Sequence, residues 1–253
     1  MEKIVLITGA TAGFGKAMAQ KFAEGGWNCI ITGRRADKLH SLADELRDKY
    51  QVRILSLVFD VSNKQEVEQN LENLPNEWHN VELLINNAGL ALGRDPIDKG
   101  NTEDWDIMID TNVKGLLYVS RAITPYMVAR NHGQIINIGS IAGKEVYENG
   151  NVYCATKFAV DAISKSMRID LLPHKIKVTN INPGAAETEF SIVRYKGDEG
   201  KAESAYKGYV PLYAKDIADI AWYCANLPSH VCINDLEVTC TAQANVVNLF
   251  KDL

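Results

Sequence analysis

The chain of 253 residues has no closely spaced cysteine pair: Cys29, Cys154, Cys224, Cys232 and Cys240 are scattered and odd in number. That is not the disulfide framework of a small secreted scaffold, and reduced thiols in a cytoplasmic protein fit better. The histidines, His40, His79, His132, His174 and His230, form neither an HExxH pair nor a ligand cluster, so no zinc or other metal is expected. With 27 Lys and Arg against 32 Asp and Glu there is no basic excess, and nucleic acid is not an expected partner. No apolar run approaches bilayer length, and the opening MEKIVLITGA carries no signal-peptide cleavage pattern. A linker is missing too: no Pro/Ser-rich stretch, charge run or internal repeat divides the chain. Residues 1–253 therefore read as one domain, long enough to bury a core of its own.

What the sequence does contain is alternation. Short apolar runs at 5–7, 29–32, 54–58, 83–85, 135–138, 178–181 and 236–238 read as buried strands. Between them lie periodic stretches of helical length at 14–25, 36–50, 64–74, 105–131, 152–172 and 215–226. Strand and helix in turn predict an α/β fold, a doubly wound parallel sheet of about seven strands with helices on both faces. Ligands of such sheets collect at the carboxyl ends of the strands. The segment 183–213 breaks the rhythm, is rich in small and charged residues, and reads as a substrate lid or binding loop. Residues 239–253 have mixed apolar content, suited to packing on a neighbour or to fraying.

Directly after the first strand stands TGATAGFG, containing Gly9, Thr11, Gly13, Phe14 and Gly15, and leading into a helix. Glycines there let the backbone approach a pyrophosphate, and a helix N-terminus favours an anion. The spacing is Gly-xxx-Gly-x-Gly, not the commoner GxGxxG. The second strand ends in Gly33, Arg34 and Arg35, where dinucleotide-binding folds read the adenosine ribose. An acidic residue at this place would accept from a 2′-hydroxyl, whereas an arginine fork suits a 2′-phosphate. NADP(H) is therefore the expected cofactor. Asp60 and Val61, ending the third strand, are placed to border the adenine, although Asp60 could equally cap the next helix.

Tyr153 and Lys157 stand four apart on a predicted helix and share a face, with Ala155, Ala159, Ile163, Met167 and Leu171 marking the stripe expected to pack. An ammonium beside a phenol favours the phenolate and should lower the tyrosine pKa. Ser140 follows the fifth strand, where its hydroxyl can hold a substrate oxygen.

In this order and spacing, residues 8–15, Asn86-Asn87-Ala88-Gly89, Asn112, Ser140, Tyr153-x-x-x-Lys157 and Pro183-Gly184 resemble the short-chain dehydrogenase/reductase family, over essentially the whole chain. The resemblance implies a Rossmann-type sheet and a set of roles. Tyr153 would be the general acid/base, Ser140 would orient the carbonyl, and Lys157 would hold the nicotinamide ribose and tune Tyr153. Asn112 would position a water that relays protons through Lys157. Asn87, Ala88, Gly89 and the Pro183-Gly184 turn would line the nicotinamide side, with Thr188 on the carboxamide or phosphates. It also implies a homo-oligomer, commonly a tetramer, joined by the two long central helices.

Within the family, NNAGLALG at 86–93, DWDIMIDTNVKGLLYV at 104–119 and TEFSIVRYKGD at 188–198 resemble the NADP-dependent 3-hydroxy acid dehydrogenases, a group that includes L-allo-threonine and serine dehydrogenases. The resemblance implies a small hydroxy or oxo acid as substrate, of the 3-hydroxyisobutyrate or malonic semialdehyde type. Arg194, Lys196, Lys201 and Lys207 in the lid could each face a carboxylate, Arg194 first because a guanidinium binds one through two parallel bonds. An internal salt bridge is the other use Arg194 could have. Tyr147 is placed to close the substrate pocket. Lys144-Glu145-Val146 and Ala185-Ala186-Glu187 depart from the group's pattern near the substrate. Two other readings stay open: a reductase of bulkier ketones such as keto esters or steroids, and a non-catalytic NADP-sensing protein.

Overall fold

A computed structural model describes residues 2–252. The chain runs β1 (Ile4–Ile7), α1 (Gly13–Glu24), β2 (Asn28–Gly33), α2 (Ala36–Tyr50), β3 (Ile54–Val58), α3 (Lys64–Leu71) and β4 (Val81–Asn86). It continues through α4 (Thr102–Ile109), a π-helical segment (Asp110–Gly115), α5 (Leu116–Arg130), β5 (Gly133–Ile138), α6 (Asn151–Asp170) and β6 (Ile176–Pro183). Last come β7 (Ala186–Glu187), α7 (Glu189–Arg194), α8 (Glu199–Ser204), β8 (Leu212–Tyr213), α9 (Ala214–Ala225) and β9 (Asp235–Val238).

Seven strands form one sheet in the order β3-β2-β1-β4-β5-β6-β9, every pair parallel. From β1 the chain winds outward through β2 to β3, then returns to place β4 on the other side of β1. That reversal opens a crevice at the carboxyl ends of β1 and β4. One hydrophobic layer joins Val5, Ile7, Cys29 and Ile31 of the sheet to Met18 and Phe22 of α1, Leu39 and Leu46 of α2, and Ile217 and Ala221 of α9. The opposite layer joins Leu6, Ile30, Leu84 and Ile135 to Val67 of α3 and to Val119, Ile123 and Met127 of α5. With both faces covered, β1, β2 and β5 are buried at every position, which is why apolar residues predominate on both sides of them, with Thr32 and Asn137 among the buried polar exceptions. No helix among the described residues is long and apolar enough to cross a membrane.

Three expectations change. The stretch 105–131 is not one α-helix, because the π-helical segment interrupts it around Asn112. The segment 183–213, read as a lid or binding loop, has regular structure of its own: β7 and β8 pair with each other apart from the main sheet, and α7 and α8 lie between them. Residues 239–252 fold back instead of fraying, with a Gln243–Leu249 bridge and a hydrogen bond from Asp252 N–H to the Gly208 carbonyl.

Candidate active site

At the crevice, the turn from β1 to α1 is shaped for a tight approach. Gly9 takes φ +67°, and a Cβ on Gly15 would lie 2.2 Å from the Gly9 carbonyl oxygen, so only glycine lets α1 start this close to the strand. Ala12 gives α1 no side-chain cap and no acid stands in its first turn, so no side chain competes for its leading N–H groups. Asn87 Nδ2 donates to the Thr8 carbonyl at 2.8 Å, and Thr8 Oγ1 accepts from the N–H groups of Asn87 and Ala88, each at 3.0 Å. Asn87 therefore buttresses the glycine turn as well as lining the crevice. Thr188, the cap of α7, stands over the start of α1, where a Cβ on Gly13 would come within 3.4 Å of it.

Beyond β2, Arg34 Nη1 donates to Asp60 at 3.2 Å. Burial works against the Asp60 charge, but hydrogen bonds from the Ser62 N–H and hydroxyl, with Arg34, outweigh it and hold the carboxyl below its ordinary range. Asp60 does not cap α3; Asn63 does, accepting from Gln65 and Glu66. Arg35 donates to Thr11 and to Glu189, and Lys38, which sequence reasoning missed, adds a third cation here. Arg34, Arg35 and Lys38 beside an uncapped helix start fit the 2′-phosphate and pyrophosphate of NADP.

The chemical end is held in register from beneath the sheet. Asn86 Nδ2 donates to Ser120 and Asn137, each at 2.9 Å, and Asn137 in turn donates to Ser164 of α6 at 2.9 Å. This ladder ties β4, β5, α5 and α6 into one block. The face of α6 that packs is largely polar: Thr156, Lys157, Asp161 and Ser164 are buried beside Cys154 and Val160, whereas the expected stripe of Ala155, Ala159, Ile163, Met167 and Leu171 is half-buried or exposed. Each buried polar group on it has a partner, so the face is satisfied without being wholly apolar. Lys157 Nζ donates to the Ile138 carbonyl at 2.9 Å, and Asn112 Nδ2 to Thr156 at 3.1 Å. Asn112 also clasps Leu90 through both its N–H and its carbonyl, at 2.8 Å each. Gly89 lies between them: a Cβ there would be 3.2 Å from Asn112 Oδ1 and 3.7 Å from Lys157 Nζ.

Ser140 leaves the end of β5, its hydroxyl accepting from Ala142 N–H at 3.1 Å and reaching the Pro183 carbonyl at 3.4 Å. The turn it begins presses on α6, since a Cβ on Gly143 would lie 2.6 Å from the Lys157 carbonyl oxygen. Lys144 follows, bridging Asp161 at 2.6 Å and Asp235. Desolvation alone drops the Lys157 ammonium from its ordinary 10.5 to about 8. Tyr153 departs from expectation: burial pushes its phenol above the ordinary value, with Tyr147 adding to this and Ser140 and Arg194 opposing it. The Lys157 ammonium lies 5.9 Å from the Tyr153 ring centre and donates to the Ile138 carbonyl rather than to the phenol, and it is not among the groups that offset the burial.

Of the four lid cations, the structure brings only Arg194 to the chemistry. Its guanidinium lies 5.3 Å over Tyr147 and 5.5 Å over Tyr153, and donates to the Tyr147 hydroxyl at 2.5 Å. It forms no salt bridge among the described residues, and its buried Nε–H has no hydrogen-bond partner. Lys196 pairs with Asp104 at 2.8 Å, Lys201 pairs with Asp198 at 3.2 Å, and Lys207 is exposed. Arg94, absent from the sequence-based set, lies on Tyr147 at 5.3 Å.

A cleft of about 850 Å³ runs from Gly9, Thr11, Gly13, Phe14, Arg34, Arg35, Asp60 and Val61 to Ser140, Tyr147, Tyr153, Lys157 and Arg194. Asn87, Ala88, Gly89, Pro183, Gly184 and Thr188 line it between these ends, while Gly15 and Asn112 stand behind its wall. Gln243, Val246, Val247 and Leu249 of the returning C-terminal segment close the far side. Gln243 holds that wall in place by accepting from Ala185 N–H at 2.7 Å.

A nucleotide crevice joined to a Ser–Tyr–Lys end on one parallel sheet defines a nicotinamide-dependent oxidoreductase, and the chain belongs to the short-chain dehydrogenase family, whose pattern it matches over residues 3–198. Among its relatives, the NADP-dependent 3-hydroxy acid dehydrogenase YdfG of Escherichia coli K12 is 50% identical over 242 residues, 95% of this chain and 96% of the other. Sulfoacetaldehyde reductase 2 of Chromohalobacter salexigens is 44% identical over 96% of both chains. The closed form of a serine dehydrogenase complexed with NADP+ superposes with a TM-score of 0.91 at 48% identity, covering 98% of this chain and all of the other.

Proposed function

We propose that this protein moves a hydride between NADP(H) and the 3-hydroxyl or 3-oxo group of a small acid or 3-hydroxy amino acid, the class to which L-allo-threonine, serine, 3-hydroxyisobutyrate and malonic semialdehyde belong. The relatives' NADP dependence and the Arg34–Arg35 pair support the cofactor. The observation that carries the substrate class is Arg194, a half-buried cation over Tyr153 whose Nε–H is buried and orphaned. A buried donor without a partner costs about 1–3 kcal/mol, and a substrate carboxylate arriving beside Tyr153 cancels that cost.

Bound in the cleft, NADP(H) supplies the hydride donor or acceptor. The protein's own residues do the rest. Ser140 holds the reacting oxygen, and Tyr153 takes the hydroxyl proton in oxidation or returns it in reduction. Lys157 holds the nicotinamide ribose with the N–H groups it does not give to Ile138, and its positive charge draws the high Tyr153 pKa down. Asn112 steadies the Leu90 backbone behind Gly89 and positions a relay water for Lys157. Arg194, with Tyr147, fixes the carboxylate, and Thr188, Asn87 and the Pro183-Gly184 turn flank the nicotinamide. Residues 1–253 act as one cytoplasmic domain, with 183–213 as its substrate lid. Exposed Ile107, Leu117, Phe158 and Ile169 on α4, α5 and α6 support assembly through these helices into a homotetramer.

Tyr153→Phe abolishes turnover with L-serine, L-allo-threonine, 3-hydroxybutyrate and 3-hydroxyisobutyrate while NADP(H) still binds. Wild-type turnover in that variant refutes the assignment. Bulkier ketones have less support, since they would face the guanidiniums of Arg94 and Arg194, and a purely NADP-sensing role leaves the Ser140–Tyr153–Lys157 set unexplained.

A further inference from the structure

Helix α7 is a six-residue bar with a charge at each end. Its last residue, Arg194, lies on Tyr153 at the chemical end. Its first, Glu189, points to the adenine end. One Glu189 carboxylate oxygen accepts from Arg35 Nη1 at 2.8 Å and the other from Lys38 Nζ at 3.2 Å. These pairs hold the Glu189 carboxyl below its ordinary range, the Arg35 hydrogen bond most of all, so it stays ionised.

The other edge of the Arg35 guanidinium faces Thr11, with Nε at 3.2 Å and Nη2 at 2.9 Å from the same hydroxyl oxygen. Two N–H groups on one neutral oxygen match a planar fork poorly, whereas a tetrahedral oxyanion accepts both in parallel. Arg35 thus offers one edge to a phosphate while its remaining nitrogen grips the lid. The two uses do not exclude each other.

We infer that Glu189 is a positioning residue that couples recognition of the 2′-phosphate to closure of the substrate lid. The 2′-phosphomonoester fixes Arg35 through its Nε and Nη2 edge, and Arg35 then fixes α7, and with it Arg194, through Glu189. This rests on the reading of Arg35 as a 2′-phosphate ligand. NAD(H) lacks the phosphate, so it leaves Arg35 and the lid looser, and discrimination against it is greater in turnover than in binding. Coupling of this kind is reciprocal: a carboxylate that holds Arg194 also tightens the 2′-phosphate.

Hydrogen exchange across residues 189–204, in the full chain with saturating 2′,5′-ADP or ADP, tests it. In the wild type, 2′,5′-ADP slows exchange relative to ADP by about fivefold, at the low end of allosteric coupling because Arg35 and Glu189 are half-exposed. In Glu189→Gln, an isosteric change at an exposed side chain, 2′,5′-ADP still binds by calorimetry but the difference between the nucleotides disappears. A merely structural role would loosen α7 equally with both. Equal protection in the wild type, faster exchange with 2′,5′-ADP, or a difference that survives Glu189→Gln overturns the inference. An Arg35→Ala arm separates the two readings. If Arg35→Ala binds 2′,5′-ADP as tightly as wild type, the assignment of Arg35 falls and the coupling with it. If it loses that affinity and Glu189→Gln keeps the protection, the coupling alone falls.

Discussion

Lys157→Met should make the protein inactive and more stable. The ammonium is buried, and desolvation alone takes it from 10.5 to about 8. At about 1.4 kcal/mol per pH unit, holding it charged at neutral pH costs about 3 kcal/mol. Methionine fills similar volume without that cost, but it leaves the Ile138 carbonyl, now bonded at 2.9 Å, without its donor. That loss takes back about 1 kcal/mol, so the net gain is about 2 kcal/mol. The sign follows from linkage: a lysine whose folded pKa lies below its unfolded value penalises the fold fully below pH 8. The penalty shrinks as pH rises through 8 and is nearly gone by 10.5, above which both states become neutral. Thermal unfolding without nucleotide should therefore show a midpoint about 4–8 °C higher for the variant at pH 7, and nearly equal midpoints at about pH 9.5. A variant no more stable than wild type at pH 7, or a gap constant across this range, refutes the reasoning.

Three further outcomes follow from packing and charge. Gly139→Ala puts a Cβ 2.2 Å from Asn182 Oδ1 and 2.6 Å from Asn180 Oδ1, and should cost about 2–3 kcal/mol in urea unfolding while lowering kcat through displacement of Ser140. Lys144→Met leaves Asp161 and Asp235 without the cation they share, at a cost of about 2 kcal/mol. Burial opposes the Asp161 charge, yet Lys144 and Lys165 hold its carboxyl below the ordinary 3.8, so wild type keeps this contribution above pH 3.8 and loses it only as pH falls further. The Lys144→Met acid-unfolding midpoint should accordingly move up, which circular dichroism across pH 2–6 checks. Arg194→Met should raise KM for 3-hydroxy acids by about 30-fold, from a lost charged hydrogen bond of about 2 kcal/mol, with a smaller penalty for a neutral ketone. Equal penalties for acid and ketone would remove the carboxylate role.

The sheet was legible because a doubly covered parallel sheet needs strands apolar on both sides, and the run at 5–7 in the fully buried β1 shows it. Ser140, Tyr153 and Lys157 were legible from order and spacing along known elements. The packed face of α6 was not, because Thr156, Lys157, Asp161 and Ser164 are buried through hydrogen bonds to partners distant in sequence, which hydropathy does not register. Glu189 was hidden for the same reason, since it meets Arg35 and Lys38 across 154 and 151 residues, and Lys38 gained no meaning without it. The π-helical segment escaped because an apolar pattern over 105–131 does not reveal one widened turn. Nor did anything in 239–252 signal that Gln243 reaches back to Ala185.

That widened turn limits where the chain can change length. Before it, Trp105 and Met108 pack with Leu90 and Ala91; after it, Val119, Ile123 and Met127 enter the core beneath the sheet. Each residue advances a helix by about 100°, so deleting one between Asp110 and Gly115 would straighten the backbone but turn one of these faces toward solvent. Loops around α8 can gain or lose residues at little cost. Among homologues, insertions and deletions should therefore collect in the lid and avoid these six positions, even though a regular helix there would be locally the more comfortable structure.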